Sequence, residues 1–268
     1  MNNKPIIGIP CKQKKADKND LWNRMEVVDA LRYLVVKYGG IAITLLPSEA
    51  TFDFNQSDLG DPKVLSKQEI DDLHRQVDLC DGIILQGGDY SCEYEVEIAE
   101  YALEKDIPII GICAGFNNIL RALGSNIYED VSHKHSVYDI NYRHDIDIVE
   151  NTRLYELIGS NRYRVNSFHT MIADKDRVEG YGRISAYSYD GLVECFEVPG
   201  KKYVMAIKWH PELMLEEEYV AKLFSSFIEA CKDQQLFQPD IHINIRIYKC
   251  AEPSIVRLFN VQKNQIKS

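Results

Sequence analysis

Ile107-Pro-Ile-Ile-Gly-Ile-Cys113-Ala-Gly115-Phe-Asn117-Asn-Ile-Leu-Arg-Ala-Leu123 is the stretch that decides the fold. Its first six residues are short, isoleucine-rich and apolar on both faces, as a fully buried parallel strand requires. The apolar spacing then changes, which predicts a helix over Asn117–Leu123, closed by Gly124. A strand that runs into a helix through Gly111-Ile-Cys-Ala-Gly115 has the form of a nucleophile elbow, with a thiol in place of the serine hydroxyl. The glycines permit a turn tight enough to hold the thiol clear of the sheet, and the adjacent helix N-terminus favours the thiolate.

Upstream, the same alternation repeats. Lys4–Pro10 reads as a buried strand, and Leu21–Tyr38 as a helix with Val27, Val28, Leu31, Leu34 and Val35 on its apolar face. Gly39-Gly40 stops it, and Ile41–Leu46 is the next strand, ended by Pro47. Residues 51–63 read as loop. Ser66, with Glu69 three residues on, starts a helix with a capping box. Asp81–Leu85 is a third strand and Glu93–Glu104 an acidic-faced helix. Strands and helices in this order predict a parallel sheet with right-handed crossovers. The second half holds shorter strands, at Asp145–Val149, Tyr163–Val165, Gly182–Tyr189, Leu192–Val198 and Tyr203–Trp209. Asp190-Gly191 marks a hairpin, and a last helix covers Glu216–Cys231.

A chain of 268 residues can bury a core without staples, and 45 % hydrophobic with 27 % charged residues is ordinary for a globular protein. Its formal charge of −10 and pI near 5.2 argue against a nucleic-acid partner, which needs a basic face. Seven cysteines without CxxC spacing suit free thiols in a reducing compartment. The first residues lack the apolar run of a signal peptide, and no stretch approaches the ~20 apolar residues of a membrane span. A cytoplasmic protein is expected. Residues 1–235 are read as one domain and 236–268 as an appendage contributing one strand, a candidate interface in a homodimer.

A thiol nucleophile needs a base, and the base needs an orienting acid. Lys208-Trp-His210-Pro-Glu212, at the end of the strand Tyr203–Trp209, offers both. On an extended segment residues two apart share a face, and Pro211 is expected to keep helix out. The Gln86-Gly87-Gly88-Asp89 loop lies at another strand end. Its backbone N–H groups suit an oxyanion hole, with the Ala114 N–H as second donor.

Together, Leu85-Gln-Gly-Gly-Asp89, Gly111-Ile-Cys-Ala-Gly115 and Trp209-His-Pro-Glu212 resemble the class I glutamine amidotransferase superfamily. Lys4–Pro10, Gly39–Pro47 and Val165-Asn-Ser-Phe-His169 are more similar to the γ-glutamyl-γ-aminobutyrate hydrolase family within it. The likeness covers about residues 4–233. It implies a flavodoxin-like, open, mostly parallel α/β sheet with helices on both faces, a three-layer sandwich. It also implies Cys113, His210 and Glu212 as triad, Gly88 and Ala114 as oxyanion hole, and Gly87, Asn117 and His169 as substrate contacts. The implied activity is cysteine-dependent hydrolysis of a small-molecule γ-glutamyl amide, with no cofactor. Two alternatives remain: a glutaminase module that delivers ammonia to a separate synthase, and a non-catalytic binding protein.

The chain departs from that hydrolase family where Ala114 replaces a frequent arginine and Phe116-Asn117 a usual His-Gln. Asn117 is one methylene shorter than glutamine, so the implied contact to a glutamyl group changes. The segment after Asp89 is also shorter than in that family. His133, His135 and His144 lie close in sequence, but no cysteine or acidic cluster accompanies them. They read as a solvated loop with no metal, and Lys12-Gln-Lys-Lys15 reads as a surface loop.

Overall fold

The computed structural model describes residues 4–19, 21–50, 52, 54, 63–88, 92–130, 135–137 and 139–232. The strand expected after residue 236, and with it the interface reading of the tail, lies outside the described residues, as do Asp89 and His133.

The first half contains β1 (Ile6–Pro10), β2 (Lys12–Lys14), β3 (Arg24–Glu26), α1 (Asp29–Lys37), β4 (Ile41–Leu45) and α2 (Lys67–Val77). It continues through β5 (Gly82–Leu85), α3 (Glu93–Glu104), β6 (Ile109–Ile112) and α4 (Ala114–Ala122). The second half begins with β7 (Tyr128–Glu129), β8 (His144–Ile148), α5 (Arg153–Ile158), β9 (Arg162–Val165) and β10 (Met171–Ile172). It ends with α6 (Lys175–Val178), β11 (Arg183–Ser188), β12 (Val193–Glu197), β13 (Val204–Ile207), a 3₁₀ turn at Pro211–Leu213, and α7 (Glu218–Lys232).

Nine strands form one open α/β sheet in the order β4-β1-β5-β6-β13-β12-β11-β8-β9. From β4 to β13 neighbours run parallel; from β13 to β9 they run antiparallel. Alternate residues of the central strands feed two cores. Ile84, Ile110, Ile112, Met205 and Ile207 pack with residues of α1, α5 and α7. Ile83, Leu85, Ile109, Val204 and Ala206 pack with residues of α2, α3, α4 and α6 on the other face. Two helical layers therefore enclose the sheet, and the central strands read as unbroken apolar runs because both faces are covered. The Ser66 capping box forms, with the Glu69 N–H donating to Ser66 Oγ and the Ser66 N–H to Glu69 Oε2 at 2.7 Å.

Three local expectations are corrected. The helix expected from Leu21 begins only at Asp29, and Arg24–Glu26 pairs instead with Lys12–Lys14 as a small hairpin. The buried Gln86 side chain causes this: it accepts from the Val28 N–H and donates to the Glu26 and Pro10 carbonyls, at 2.9, 3.1 and 2.7 Å. Backbone groups claimed this way cannot enter a helical ladder. Lys12 is not on a surface loop but buried on β2, 2.5 Å from the buried carboxylate of Glu95. His135 and His144 are not solvated either: both are buried, and His144 opens β8.

Candidate active site

The strand ends of β5, β6 and β13 meet at one edge of the parallel half, and each delivers part of one cluster. After β6, Cys113 sits at φ 52°, ψ −101°, a positive φ that an L-residue rarely adopts. Such a conformation costs on the order of 1–3 kcal/mol and persists only where its surroundings impose it. Here the Cys113 N–H donates to the Ile207 carbonyl at 2.8 Å, and two glycines admit the close packing. A Cβ on Gly115 would stand 2.2 Å from the Leu85 carbonyl oxygen, and one on Gly111 would stand 2.4 Å from that of Gly115. Helix α4 begins at the next residue, Ala114, so that N–H lacks an intrahelical acceptor and points from the helix N-terminus.

After β13, the chain turns at His210. The expectation of an extended segment with Pro211 excluding helix is overturned: Pro211–Leu213 is a 3₁₀ turn with the proline at its first position, where a missing N–H costs nothing. The turn brings the buried Glu212 carboxylate back onto its neighbour, where Oε1 accepts from His210 Nδ1 at 2.7 Å. His210 is also held from behind. Its N–H donates to Asn166 Oδ1 and its carbonyl accepts from Asn166 Nδ2, at 2.8 and 2.9 Å. The edge of Phe168 meets its ring at a centroid separation of 5.5 Å. After β5, Gly87 leaves the room the imidazole occupies: a Cβ there would fall 2.6 Å from His210 Cε1 and 3.5 Å from Cys113 Cβ. Gly88 follows, exposed, against the stem of Lys12.

Electrostatics follow from this packing. Burial alone would push the Cys113 thiol up, but the hydrogen bond to His210 and the charges of His210 and Lys208 outweigh it and hold its pKa below the ordinary value. For His210 burial works downward, yet Glu212 and the thiolate raise its pKa well above the usual imidazole range. Both shifts favour the thiolate–imidazolium form of the pair. Such a cluster can attack an electrophilic carbon and return a proton to its leaving group.

The remaining predicted residues are engaged elsewhere. Asn117 is buried with Oδ1 accepting from Lys208 Nζ at 2.5 Å, and that ammonium lies 4.6 Å over the Phe116 ring. His169 is buried with Nε2 3.6 Å from Glu194 Oε1. Two participants escaped the sequence reading. Lys208 carried a signal, a lysine at the end of an otherwise apolar run; Asn166, the clamp on His210, carried none beyond its place in the Val165–His169 segment.

The peptidase C26 family profile matches residues 5–212. The chain belongs to the peptidase C26 family. That places it among class I glutamine amidotransferase-like proteins. It is similar to the glutamine amidotransferase-like protein YvdE of Lactococcus lactis, with 33 % identity over 145 residues, 50 % of this chain and 58 % of that protein. It is also similar to the glutamine amidotransferase-like protein RP404 of Rickettsia prowazekii, with 25 % identity over 87 % of this chain and 99 % of the relative. A relative in Mycobacterium tuberculosis is matched over 44 % of its length, so the chain spans about half of some relatives and nearly all of another. The glutaminase domain of Trypanosoma brucei CTPS, solved with bound acivicin, shares the fold at a TM-score of 0.58 and 16 % identity, over 85 % of this chain and 94 % of that one. Among the described residues no helix is long and apolar enough to cross a membrane.

Proposed function

We propose that the chain is a cysteine amidohydrolase that cleaves a small γ-glutamyl amide through a glutamyl thioester. The Cys113 thiolate attacks the γ-carbonyl carbon, and the N–H groups of Gly88 and Ala114 donate hydrogen bonds to the developing oxyanion. His210, as imidazolium, gives its Nε2 proton to the departing amine as the C–N bond breaks. It then takes a proton from the water that attacks the thioester; the C–S bond breaks, glutamate leaves, and the thiolate beside the imidazolium is restored. Glu212 holds Nδ1 throughout, which fixes the ring and its tautomer. The observation that carries this reading is the strained Cys113 beside a carboxylate-bound His210, with the positive end of α4 at the thiol. The γ-glutamyl specificity rests on the likeness of Val165–His169 and the N-terminal strands to the γ-glutamyl-γ-aminobutyrate hydrolases. No cofactor takes part in the proposed cycle.

Incubation with a panel of γ-glutamyl amides and with glutamine, followed by mass spectrometry, tests the reading. Glutamate release from one γ-glutamyl amide, poor turnover of glutamine, and silence of Cys113→Ala are expected. A second reading, a glutaminase that passes ammonia to a separate synthase, is favoured by the likeness to the CTPS glutaminase domain. Glutamine as the best substrate would establish it, and undiminished turnover in Cys113→Ala would overturn both.

A further inference from the structure

Behind the catalytic cluster, in the antiparallel half of the sheet, a second set of buried ionisable side chains converges on one carboxylate. Glu194, on β12, is fully buried. Around its Oε1 lie His135 Nδ1 at 3.4 Å, His169 Nε2 at 3.6 Å and His144 Nε2 at 4.0 Å. The potential ligand atoms of His135, His144 and Glu194 all fall within 4.8 Å of one another. Both oxygens of Glu194 and both ring nitrogens of His144 and of His169 are buried and make no hydrogen bond. Buried polar atoms are nearly always satisfied, so orphaned nitrogens of two imidazoles gathered around an orphaned carboxylate call for a common partner.

The separations discriminate between partners. They are long or poorly aimed for direct imidazole–carboxylate hydrogen bonds. Nitrogen and oxygen ligands at about 2.0–2.1 Å from a tetrahedral metal stand roughly 3.3–3.4 Å apart, a spacing that His135 Nδ1 and Glu194 Oε1 already have at 3.4 Å and that His169 and His144 would reach by closing in from 3.6 and 4.0 Å. The surroundings fit as well. His135 Nε2 faces the Asp190 carboxylate at 3.1 Å, the arrangement that orients a metal-bound histidine through its other nitrogen. Ser167 Oγ, 3.3 Å from His135 Nδ1, directs its own proton to the His135 carbonyl at 2.6 Å. Imidazole and carboxylate donors without thiolate select a borderline dication of the zinc type over calcium or magnesium.

We propose that His135, His144 and Glu194 bind a zinc-like divalent ion, with His169 moving onto the fourth position. The role is structural. The ion would tie residues 135–137 to β8 and β12 and to the 166–169 segment, whose Asn166 clamps His210. This is separate from the proposed hydrolysis and stands or falls independently of it.

The test uses the full chain without a polyhistidine tag. Elemental analysis after expression in zinc-supplemented medium should find about one zinc per chain, and Cys113→Ala should keep it. Replacement by cobalt should give the visible bands of a tetrahedral nitrogen–oxygen site without a thiolate charge-transfer band. Glu194→Gln and His144→Asn should each lower zinc occupancy at least tenfold, and His169→Ala should weaken retention without abolishing it. Folded wild-type protein that takes up neither zinc nor cobalt in equilibrium dialysis would overturn the proposal. So would uptake unchanged in folded Glu194→Gln, or a cobalt spectrum with thiolate bands. If the variants fail to fold, the wild-type cobalt spectrum decides alone.

Discussion

Two buried clusters of ionisable groups sit on the same sheet, and they are held in opposite ways. In the cluster of Cys113, His210 and Glu212 the groups pair with one another: Glu212 Oε1 accepts from His210 Nδ1 at 2.7 Å, and His210 in turn holds the Cys113 thiol pKa down. In the cluster around Glu194 three imidazoles approach one carboxylate oxygen at 3.4–4.0 Å and most of their polar atoms stay orphaned. The first cluster leaves a single carboxylate oxygen, Glu212 Oε2, buried without a hydrogen bond, whereas the second leaves six such atoms on His144, His169 and Glu194. A mutation series that separates reaction from assembly sharpens the contrast.

Cys113→Ala carries the largest expected effect. Removing the nucleophile of such a constellation costs on the order of 10⁴-fold or more in kcat. Thermal stability should stay close to wild type, because the substitution relieves none of the packing at Gly111 and Gly115. Rate and melting temperature measured together check this, and a turnover loss of less than tenfold would remove Cys113 from the chemistry. Gly87→Ala comes next. Its Cβ would meet His210 Cε1 at 2.6 Å, so the imidazole must shift, and a displacement of this size at a reacting group costs about 10²-fold. The contrasting variant is Gly115→Ala, whose Cβ meets the Leu85 carbonyl oxygen, part of the backbone. It should unfold the elbow and show in the circular dichroism spectrum, whereas Gly87→Ala should not.

Asn166→Ala tests the join between the two regions. Its side chain closes both hydrogen bonds to the His210 backbone, and it is fully buried. The loss should lower stability by about 1–3 kcal/mol, with the freed His210 N–H and carbonyl left unsatisfied. It should reduce kcat roughly tenfold through a less fixed imidazole, with a smaller change in KM. An unchanged kcat with lowered stability would make the clamp purely structural.

The contrast also explains what the sequence could reveal. The parallel half was readable because two-sided burial writes it as unbroken runs such as Gly82–Leu85 and Ile109–Ile112, punctuated by Gly87, Gly111 and Gly115. The groups of the candidate site lie within a few residues of strand ends, so local order carries them. The Glu194 cluster joins His135 and His144, near neighbours in sequence, to His169 and to a carboxylate 50 residues beyond His144. Each of its histidines alone is an ordinary polar residue, and the neighbours of His135 and His144 in sequence give no sign of the burial that the fold imposes on them. The one overlooked signal is Glu194 itself, a carboxylate inside Val193-Glu-Cys-Phe-Glu197, where all but the last residue are buried. A buried charge needs a partner, and that partner had to come from elsewhere in the fold. The hairpin Arg24–Glu26 was lost for the same reason: its fate is decided by Gln86, some sixty residues away.

Lys208 stands between the clusters, and its replacement should have the smallest effect on the reaction. Its N–H donates to the Glu194 carbonyl at 2.8 Å, its ammonium is held by Asn117 and the Phe116 face, and its charge acts on both Cys113 and His169. In Lys208→Met the stem volume remains but the positive charge is gone. The Cys113 thiolate then loses one of the charges that favour it, so the thiol pKa must rise toward its ordinary value. Because only the thiolate reacts, alkylation by iodoacetamide near pH 7 should slow, by less than about tenfold since His210 remains. The slowing should vanish at high pH, where the thiol is ionised in both proteins. A pH–rate profile therefore distinguishes the loss of charge from a misplaced nucleophile. A midpoint moved upward with the same plateau is the electrostatic result, whereas a lowered plateau would mean that Lys208, through Asn117 on α4, shapes the elbow itself.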